Sequence, residues 1–343
     1  MRRRHQFVAA LIAAAVATTA LSACGDSDTS DEVVLLTHDS FVLPDELLAT
    51  FEDQTGLTLK VVKEADAGQL SSSVALTAGS PRGDAVYGID NTFASRVVDA
   101  GALVEYTSPD NALGPADDAL PPPNLLTAVD RGDVCVNVDN TWFADRNLPT
   151  PRNLADLTDP RYRGLTVAMD PATSSPGMAF LLATIAANPD GVNGGWQGYW
   201  QRLRDNEVAI APGWTEAYNQ EFTAGEGKGS KPIVVSYASS PAFLPTTTAL
   251  LDTCFEQIEY AGVLRGASNE DGAKKVIDYL ISEPVQAALP ESMYVYPVRE
   301  GTPLPADWAE HAPEPESAAT MPADEIATNR EAWQQEWRTV MGR

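Results

Sequence analysis

The chain has 343 residues, 44% hydrophobic and 21% charged, a composition that suits about one to three globular domains and argues against a disordered chain. With 23 Lys and Arg against 48 Asp and Glu, the formal charge of −25 leaves no basic surface for a phosphate backbone, so no nucleic-acid partner is expected. The three histidines, His5, His38 and His311, are scattered, and Cys24, Cys135 and Cys254 form no C-x-x-C pair. No metal site and no redox motif are therefore expected.

At the N-terminus, Arg2, Arg3 and Arg4 precede an apolar stretch from Phe7 to Ala20, which is short and Ala/Thr-rich and reads as a secretory signal rather than a spanning helix. It ends in Leu21-Ser22-Ala23-Cys24, which resembles the processing box of bacterial lipoproteins. Residues 1–23 then read as a signal peptide, Cys24 as the lipidated residue, and 24–32 as an acidic lipidated tether. The bland alternative is an ordinary signal with an incidental cysteine. Cleavage before Cys24 removes three arginines and no acids, taking the charge from −25 to −28. The expected location is extracytoplasmic, with the chain anchored to the bacterial cell membrane through its N-terminal lipid. That compartment tolerates disulfides, and Cys135 and Cys254 are a possible pair, although sequence separation alone does not distinguish a bridge from two buried thiols.

From Val33 onward, β-branched runs alternate with helical periodicity. The predicted strands are Val33–Leu36, Thr58–Val62, Ala85–Ile89, Val134–Val138, Thr166–Met169, Val208–Ile210, Ile233–Tyr237 and Glu259–Val263. The predicted helices are Pro44–Thr55, Leu70–Ala78, Phe93–Ala100, Met178–Ala187, Trp196–Arg204, Glu216–Phe222 and Ala273–Ile281. Such alternation gives an α/β fold with parallel sheets. The Pro-rich Pro121–Asn124 is a place for a change of lobe. Thr302–Pro322, rich in Pro, Ala and acids, reads as an extended wrap before a last helix that carries Ile326, Trp333, Trp337 and Met341 on one face. That helix reads as a clasp.

In open α/β sheets ligands sit beyond the carboxyl ends of the strands. There the sequence places Thr37-His38-Asp39-Ser40, Asp66, Asp90-Asn91, Asp170 to Gly177, Gly213 to Tyr218, and Tyr237 to Phe243. Carboxylates among aromatic faces suit an organic cation, because ring quadrupoles attract cations by ~0.5–2 kcal/mol and an acid adds charge or hydrogen bonds. Each group also has a plainer reading. Asp90 and Asn91 are common turn or N-cap residues, Trp214 and Tyr218 share a core-like spacing of four, and Ser174, Ser175 and Gly177 cap a helix as readily as they capture a phosphate. Gly225 to Ser230 lacks the Walker spacing and reads as a mobile loop. There is no G-x-S-x-G elbow and no H-E-x-x-H, and chance carboxylate pairs carry no weight among 48 acids, so an enzyme is disfavoured.

Seven blocks in order, Thr37 to Phe41, Gly88 to Asn91, Asp170 to Gly177, Gly213 to Tyr218, Ser236 to Phe243, Tyr296 to Val298 and Arg330 to Trp337, resemble the thiamine-binding proteins of bacterial ABC importers, within the type II solute-binding class. The resemblance covers Val33 to the C-terminus. It implies a two-lobed periplasmic-binding-protein-like fold with the ligand cleft between lobes: lobe 1 from 33–133 plus 259–300, lobe 2 from 134–258, and a C-terminal wrap and helix at 301–343. It also implies a monomer that delivers thiamine, or its mono- or diphosphate, to an ABC permease, with thiamine as cargo and no cofactor. Carried over by position, the ligand residues are Asp66 for the aminopyrimidine, Trp214, Tyr237 and Phe243 as aromatic walls, and Ser174 beside the hydroxyethyl or phosphate end. His38, Asp39, Asp90, Ser175, Tyr218 and Tyr294 complete the candidate set.

His38 and Phe243 stand where the family typically has tyrosines, and Tyr294 where it has a tryptophan. The lost phenol at Phe243 removes a hydrogen bond of ~0.5–1.5 kcal/mol, which bears on phosphate preference. A protonated His38 would repel a thiazolium and favour a phosphate tail. Two other readings remain at this stage: a polyamine or ferric-ion binder of the same fold, with Ala238 after Tyr237 counting against iron; and an extracytoplasmic enzyme acting on thiamine-like pyrimidines, whose only thiol nucleophiles, Cys135 and Cys254, fall in or beside strands.

Overall fold

A computed structural model describes residues 31–111, 114, 120, 122 and 124–343. The signal segment, Cys24 and most of the tether lie outside the described residues.

In chain order the elements are β1 (Glu32–Thr37), α1 (Asp45–Thr55), β2 (Thr58–Lys63), α2 (Ala67–Leu76), β3 (Ala85–Asp90), α3 (Ala94–Asp99), β4 (Leu103–Val104) and β5 (Thr127–Arg131). There follow β6 (Val134–Asp139), α4 (Asn140–Asp145), β7 (Thr166–Met169), α5 (Ser175–Ala187), α6 (Gly195–Asp205) and β8 (Ala209–Ala211). A π-helical turn (Thr215–Glu221) leads to β9 (Ile233–Tyr237), α7 (Ser240–Phe243), β10 (Thr247–Phe255) and β11 (Ile258–Leu264). The chain closes with α8 (Glu270–Leu280), α9 (Glu283–Ser292), β12 (Tyr296–Pro297), α10 (Trp308–His311) and α11 (Ala323–Met341).

Among the described residues the strands form two sheets. The first runs β12-β5-β11-β3-β1-β2, with β4 on β11; the second runs β10-β6-β9-β7-β8. Each is built on three parallel strands, β2-β1-β3 in one and β8-β7-β9 in the other. In each, the next strand is antiparallel and has crossed from the other half: β11 pairs with β3, and β6 with β9. The chain crosses between sheets at Gly132-Asp133 and at Glu256-Gln257. There Gly132 N–H donates to Gln257 O at 2.9 Å, and Arg131 pairs with Glu256 at 3.3 Å. This is the type II periplasmic-binding-protein architecture, two α/β lobes joined by crossing strands.

Local chemistry sets the ends of the helices. Gly56 takes a left-handed conformation (φ 71°) after α1 and returns its N–H to Glu52 O. Asn269 caps α8 by accepting from Gly272 N at 2.9 Å. The second lobe is held by a disulfide between Cys135 on β6 and Cys254 on β10, with Cα atoms 4.2 Å apart. Closing so long a loop contributes about 4–5 kcal/mol in the chain-entropy account.

The clasp joins both halves. Ile326 and Trp337 of α11 are buried in the core of the second lobe, with Trp337 edge-on to Trp200 at 5.5 Å, each contributing ~1.5–3 kcal/mol. On the same helix Arg330 Nη1 donates to Thr92 O at 3.3 Å and Ser95 Oγ at 2.7 Å in the first lobe. Two expectations need correction. Thr302–Pro322 is not extended throughout, because Trp308 finds an edge-on partner in Tyr296 at 5.2 Å and a short helix, α10, forms there. The helix expected over Glu216–Phe222 is a π-helical turn over Thr215–Glu221, with Phe222 extended after it.

Candidate functional site

The strand ends converge on a cavity of about 200 Å³ between the lobes, lined by fourteen residues that include His38, Trp214, Tyr218, Tyr237, Phe243 and Tyr294. Trp214 follows β8, and Tyr237 ends β9. The π-helical winding between them brings residues four apart nearly into line, so the Trp214 and Tyr218 rings stack with centroids 4.9 Å apart and planes 13° from parallel. The indole N–H donates to Ser236 Oγ at 2.9 Å, and Ser236 in turn contacts Ser240 Oγ at 2.8 Å. Tyr237 lies 6.1 Å from Trp214. Across the mouth, Phe243 meets Tyr294 at 4.8 Å. Tyr294 has a left-handed backbone (φ 55°), an uncommon state for a non-glycine residue that needs support from its surroundings, and the Ser239 hydroxyl of the other lobe donates to its carbonyl.

His38 follows β1. Its ring lies where a Cβ on Gly88 would come within 2.3 Å of its Cδ2, and Gly88 itself has φ +94°, so glycine is required there twice over. Nδ1 sits 2.9 Å from Ser40 Oγ and Nε2 3.5 Å from Glu259 Oε1. Burial acts to lower the imidazole, but Glu259, with Asp66 and Asp39, overrides it and holds His38 above its usual value of 6.5. Behind the pair, the Tyr87 hydroxyl lies 2.6 Å from Asp130 Oδ2 and 2.9 Å from Glu259 Oε2. Burial, and next Glu259, push Asp130 well above the carboxylate range, while Glu259 is held low, against its burial, by His38 and Tyr87. Glu259 therefore stands between the imidazole and the Tyr87–Asp130 pair, and the His38 ring has its carboxylate partner within the protein.

Beside the cavity, acids of the first lobe bond to the start of α5 in the second. Asp66 Oδ1 accepts from Ser175 N at 3.1 Å, and Oδ2 from Trp214 N at 2.8 Å. Burial pushes Asp66 up despite these bonds. Asp90 accepts from Phe93 N at 3.0 Å and Thr92 Oγ1 at 2.9 Å, and from the Ser175 hydroxyl; burial pushes it up to about 7. Ser174 caps α5, its Oγ accepting from Gly177 N at 3.3 Å.

The residues expected from sequence thus fall into two groups. Six line the cavity; Asp66, Asp90, Ser174 and Ser175 form the cross-lobe cluster, and Asp39 is not among the lining residues. The carboxylates that do line it, Glu226 and Glu259, are absent from the expected set. Glu259 was visible as a lone acid opening an apolar strand. Glu226 lies in the Gly225–Ser230 segment, read above as a mobile loop, where Gly227 N–H donates to Asn219 O at 2.7 Å and a Cβ on Gly225 would meet Tyr218 O at 2.1 Å.

A family model described as "bacterial extracellular solute-binding protein" matches residues 84–329. A thiamine-binding periplasmic protein of Brucella melitensis is 26% identical over 336 residues, covering 92% of this chain and 94% of that one. A solved periplasmic thiamin binding protein superposes with a TM-score of 0.79 at 22% identity, covering 91% of this chain and 96% of the other. An apo ferric ion-binding protein A of Pasteurella haemolytica superposes at 0.70 and 18% identity, covering 91% and 98%. These two structures are likenesses of fold.

Proposed function

This chain belongs to the bacterial extracellular solute-binding protein family, and from that premise we propose that it captures thiamine outside the cell and delivers it to the permease of an ABC importer. The observation that carries the reading is the lining of the cleft. Five aromatic side chains, Trp214, Tyr218, Tyr237, Phe243 and Tyr294, stand with Glu226 and Glu259, and among the described residues no lysine or arginine lines the cavity. Thiamine carries a permanent, delocalised thiazolium charge. Rings hold such a charge at ~0.5–2 kcal/mol each, without the full desolvation cost of a compact ammonium, and Glu226 supplies the opposite charge, Glu259 being paired with His38. The aminopyrimidine offers hydrogen-bonding edges to Asn219, Ser40 and Ser240, which also line the cavity. Asp66, whose two oxygens are engaged by the other lobe, is assigned here to lobe closure. The hinge lies at the two crossings between the sheets.

The proposal includes a monomer tethered by lipid on Cys24 and binding without chemistry. The relatives' thiamine-binding names support the choice of cargo. Calorimetric titration of purified protein, freed of carried-over ligand, tests it, with spermidine and ferric citrate as controls. Micromolar or tighter binding of thiamine alone, with the vitamin recovered intact by mass spectrometry, is expected. No heat with thiamine, or equal affinity for a control, overturns the reading.

A further inference from the structure

Three glycines at alternate positions, Gly225, Gly227 and Gly229, lie against the π-helical turn that follows Trp214. None has a left-handed backbone, so space rather than φ is what requires glycine there. A Cβ on Gly225 would overlap the Tyr218 carbonyl and one on Gly229 the Glu221 carbonyl, while one on Gly227 would lie 2.9 Å from both Asn219 O and Gln220 Cα. Glu226 and Lys228, between them, keep their side chains, and both are exposed.

The same segment meets carbonyls that the end of the turn leaves open. Phe222 N–H donates to Ala217 O at 3.0 Å, five residues back, which is the mark of π winding. Beyond it, Gly227 N–H donates to Asn219 O at 2.7 Å, Lys231 N–H to Glu221 O at 2.9 Å, and the N–H groups of Gly225 and Gly229 both to Phe222 O at 3.1 Å. Lys231 Nζ donates in turn to Gly164 O at 2.7 Å, which ties the segment to the body of the second lobe. A π turn is rare and rests on its surroundings; here those are the glycines. They do not line the cavity, but Trp214, Tyr218, Asn219 and Glu226, carried by the turn and the segment, do.

From this juxtaposition we infer that Gly225, Gly227 and Gly229 are positioning residues for ligand recognition: packed backbone against backbone, they hold the π winding that stacks Trp214 on Tyr218 and bring Glu226 beside the stack. The inference rests on the thiamine reading for its cargo. A side chain at residue 229 forces the segment and the turn apart, the winding relaxes toward ordinary i→i−4 bonding, and Tyr218 leaves its register with Trp214. Glycines outside the cleft thus set its aromatic wall without touching the ligand.

The test is a double-substitution cycle read by calorimetry with thiamine, with thermal midpoints in parallel. Gly229→Ala is expected to weaken thiamine at least about tenfold, and Ser230→Ala, at an exposed neighbour, to leave affinity unchanged. Combined with Trp214→Ala, Gly229→Ala should add no more than about threefold to the loss from Trp214→Ala alone, because the ring that it positions is gone. Losses that multiply in full mark a general loosening of the fold and overturn the inference, as does native-like binding by Gly229→Ala. If Gly229→Ala does not fold, Gly227→Ala, the mildest intrusion at 2.9 Å, carries the same cycle. A second readout needs no ligand. The difference in near-UV circular dichroism between the protein and its Trp214→Phe variant reports the Trp214–Tyr218 stack, and the same difference in the Gly229→Ala background should be much smaller. An unchanged difference overturns the inference and leaves the thiamine reading standing; absence of thiamine binding by the unsubstituted protein removes that reading, and the dichroism alone then decides whether the glycines position the rings.

Discussion

The two walls of the cleft are built on different physics. The second lobe supplies most of the rings, Trp214, Tyr218, Tyr237 and Phe243, held by stacking and by a short chain of serine hydroxyls. The first supplies most of the charge, His38, Asp66, Asp90 and Glu259, each engaged by a partner distant in sequence. Ring contacts are weakly directional and cost little to prepare, whereas buried acids must be matched or protonated. The ring wall should therefore respond mainly in affinity, and the acid wall in stability and pH.

The largest expected effect breaks the acid wall with base. Asp90 is pushed up to about 7 from an ordinary 3.8 by burial, and burial also raises Asp66 and Asp130. The folded chain thus keeps protons that the unfolded chain releases, and this contribution is present at low pH and lost as pH rises through the folded values. For Asp90 alone the linkage is on the order of 4 kcal/mol. His38, raised above 6.5 despite its burial by Glu259 and the neighbouring acids, has the same sign: its contribution is complete below about 6.5 and lost above its folded value. Glu259, held low against its burial by His38 and Tyr87, opposes them, contributing above its unfolded value and losing that contribution as pH falls. The thermal midpoint should be several degrees higher near pH 5 than near pH 8, and Asp90→Asn should flatten the difference. A midpoint that rises toward pH 8 would reverse the sign of the acid wall.

On the other wall, Trp214→Ala removes the ring stacked on Tyr218 and the donor to Ser236. Thiamine affinity should fall about 30- to 100-fold, or about 2–3 kcal/mol, while Trp214→Phe recovers most of the loss. Titration of both variants, with thermal midpoints in parallel, separates affinity from folding. Native-like binding by Trp214→Ala would remove the ring wall from recognition.

The same contrast explains what was legible in the sequence. The parallel strands announced themselves by β-branched runs, and Trp214, Tyr237 and Phe243 stood out because rings cluster after strand ends. Strands β5 and β10 were missed: β5 reads Thr-Ala-Val-Asp-Arg, and β10 is only half apolar in its first part, and both are fixed by pairing with strands remote in sequence. The acids were harder. Asp66 was visible as a carboxylate, but its partners lie 109 and 148 residues away. The contacts that tie Tyr87 to Asp130 and Glu259 span 43 and 172 residues, and no local spacing encodes a charge whose partner is set by tertiary packing.

The smallest expected effect concerns Phe243, where the thiamine-binding family that the sequence resembles typically carries a tyrosine. The ring is 42% exposed and tilted 51° against Tyr294 at the cleft mouth. Phe243→Tyr adds one hydroxyl that water already serves in the free protein, so the net gain on binding should fall at or below the low end of the ~0.5–1.5 kcal/mol typical of a hydrogen bond. The expected change in thiamine affinity is within about threefold, with no change in thermal midpoint. A gain beyond about tenfold would mean that closure carries Phe243 out of water and gives its hydroxyl a partner on the first lobe. The ring wall would then recognise through directional bonds as well as faces, and the separation between an affinity wall and a stability wall would fail at the mouth of the cleft.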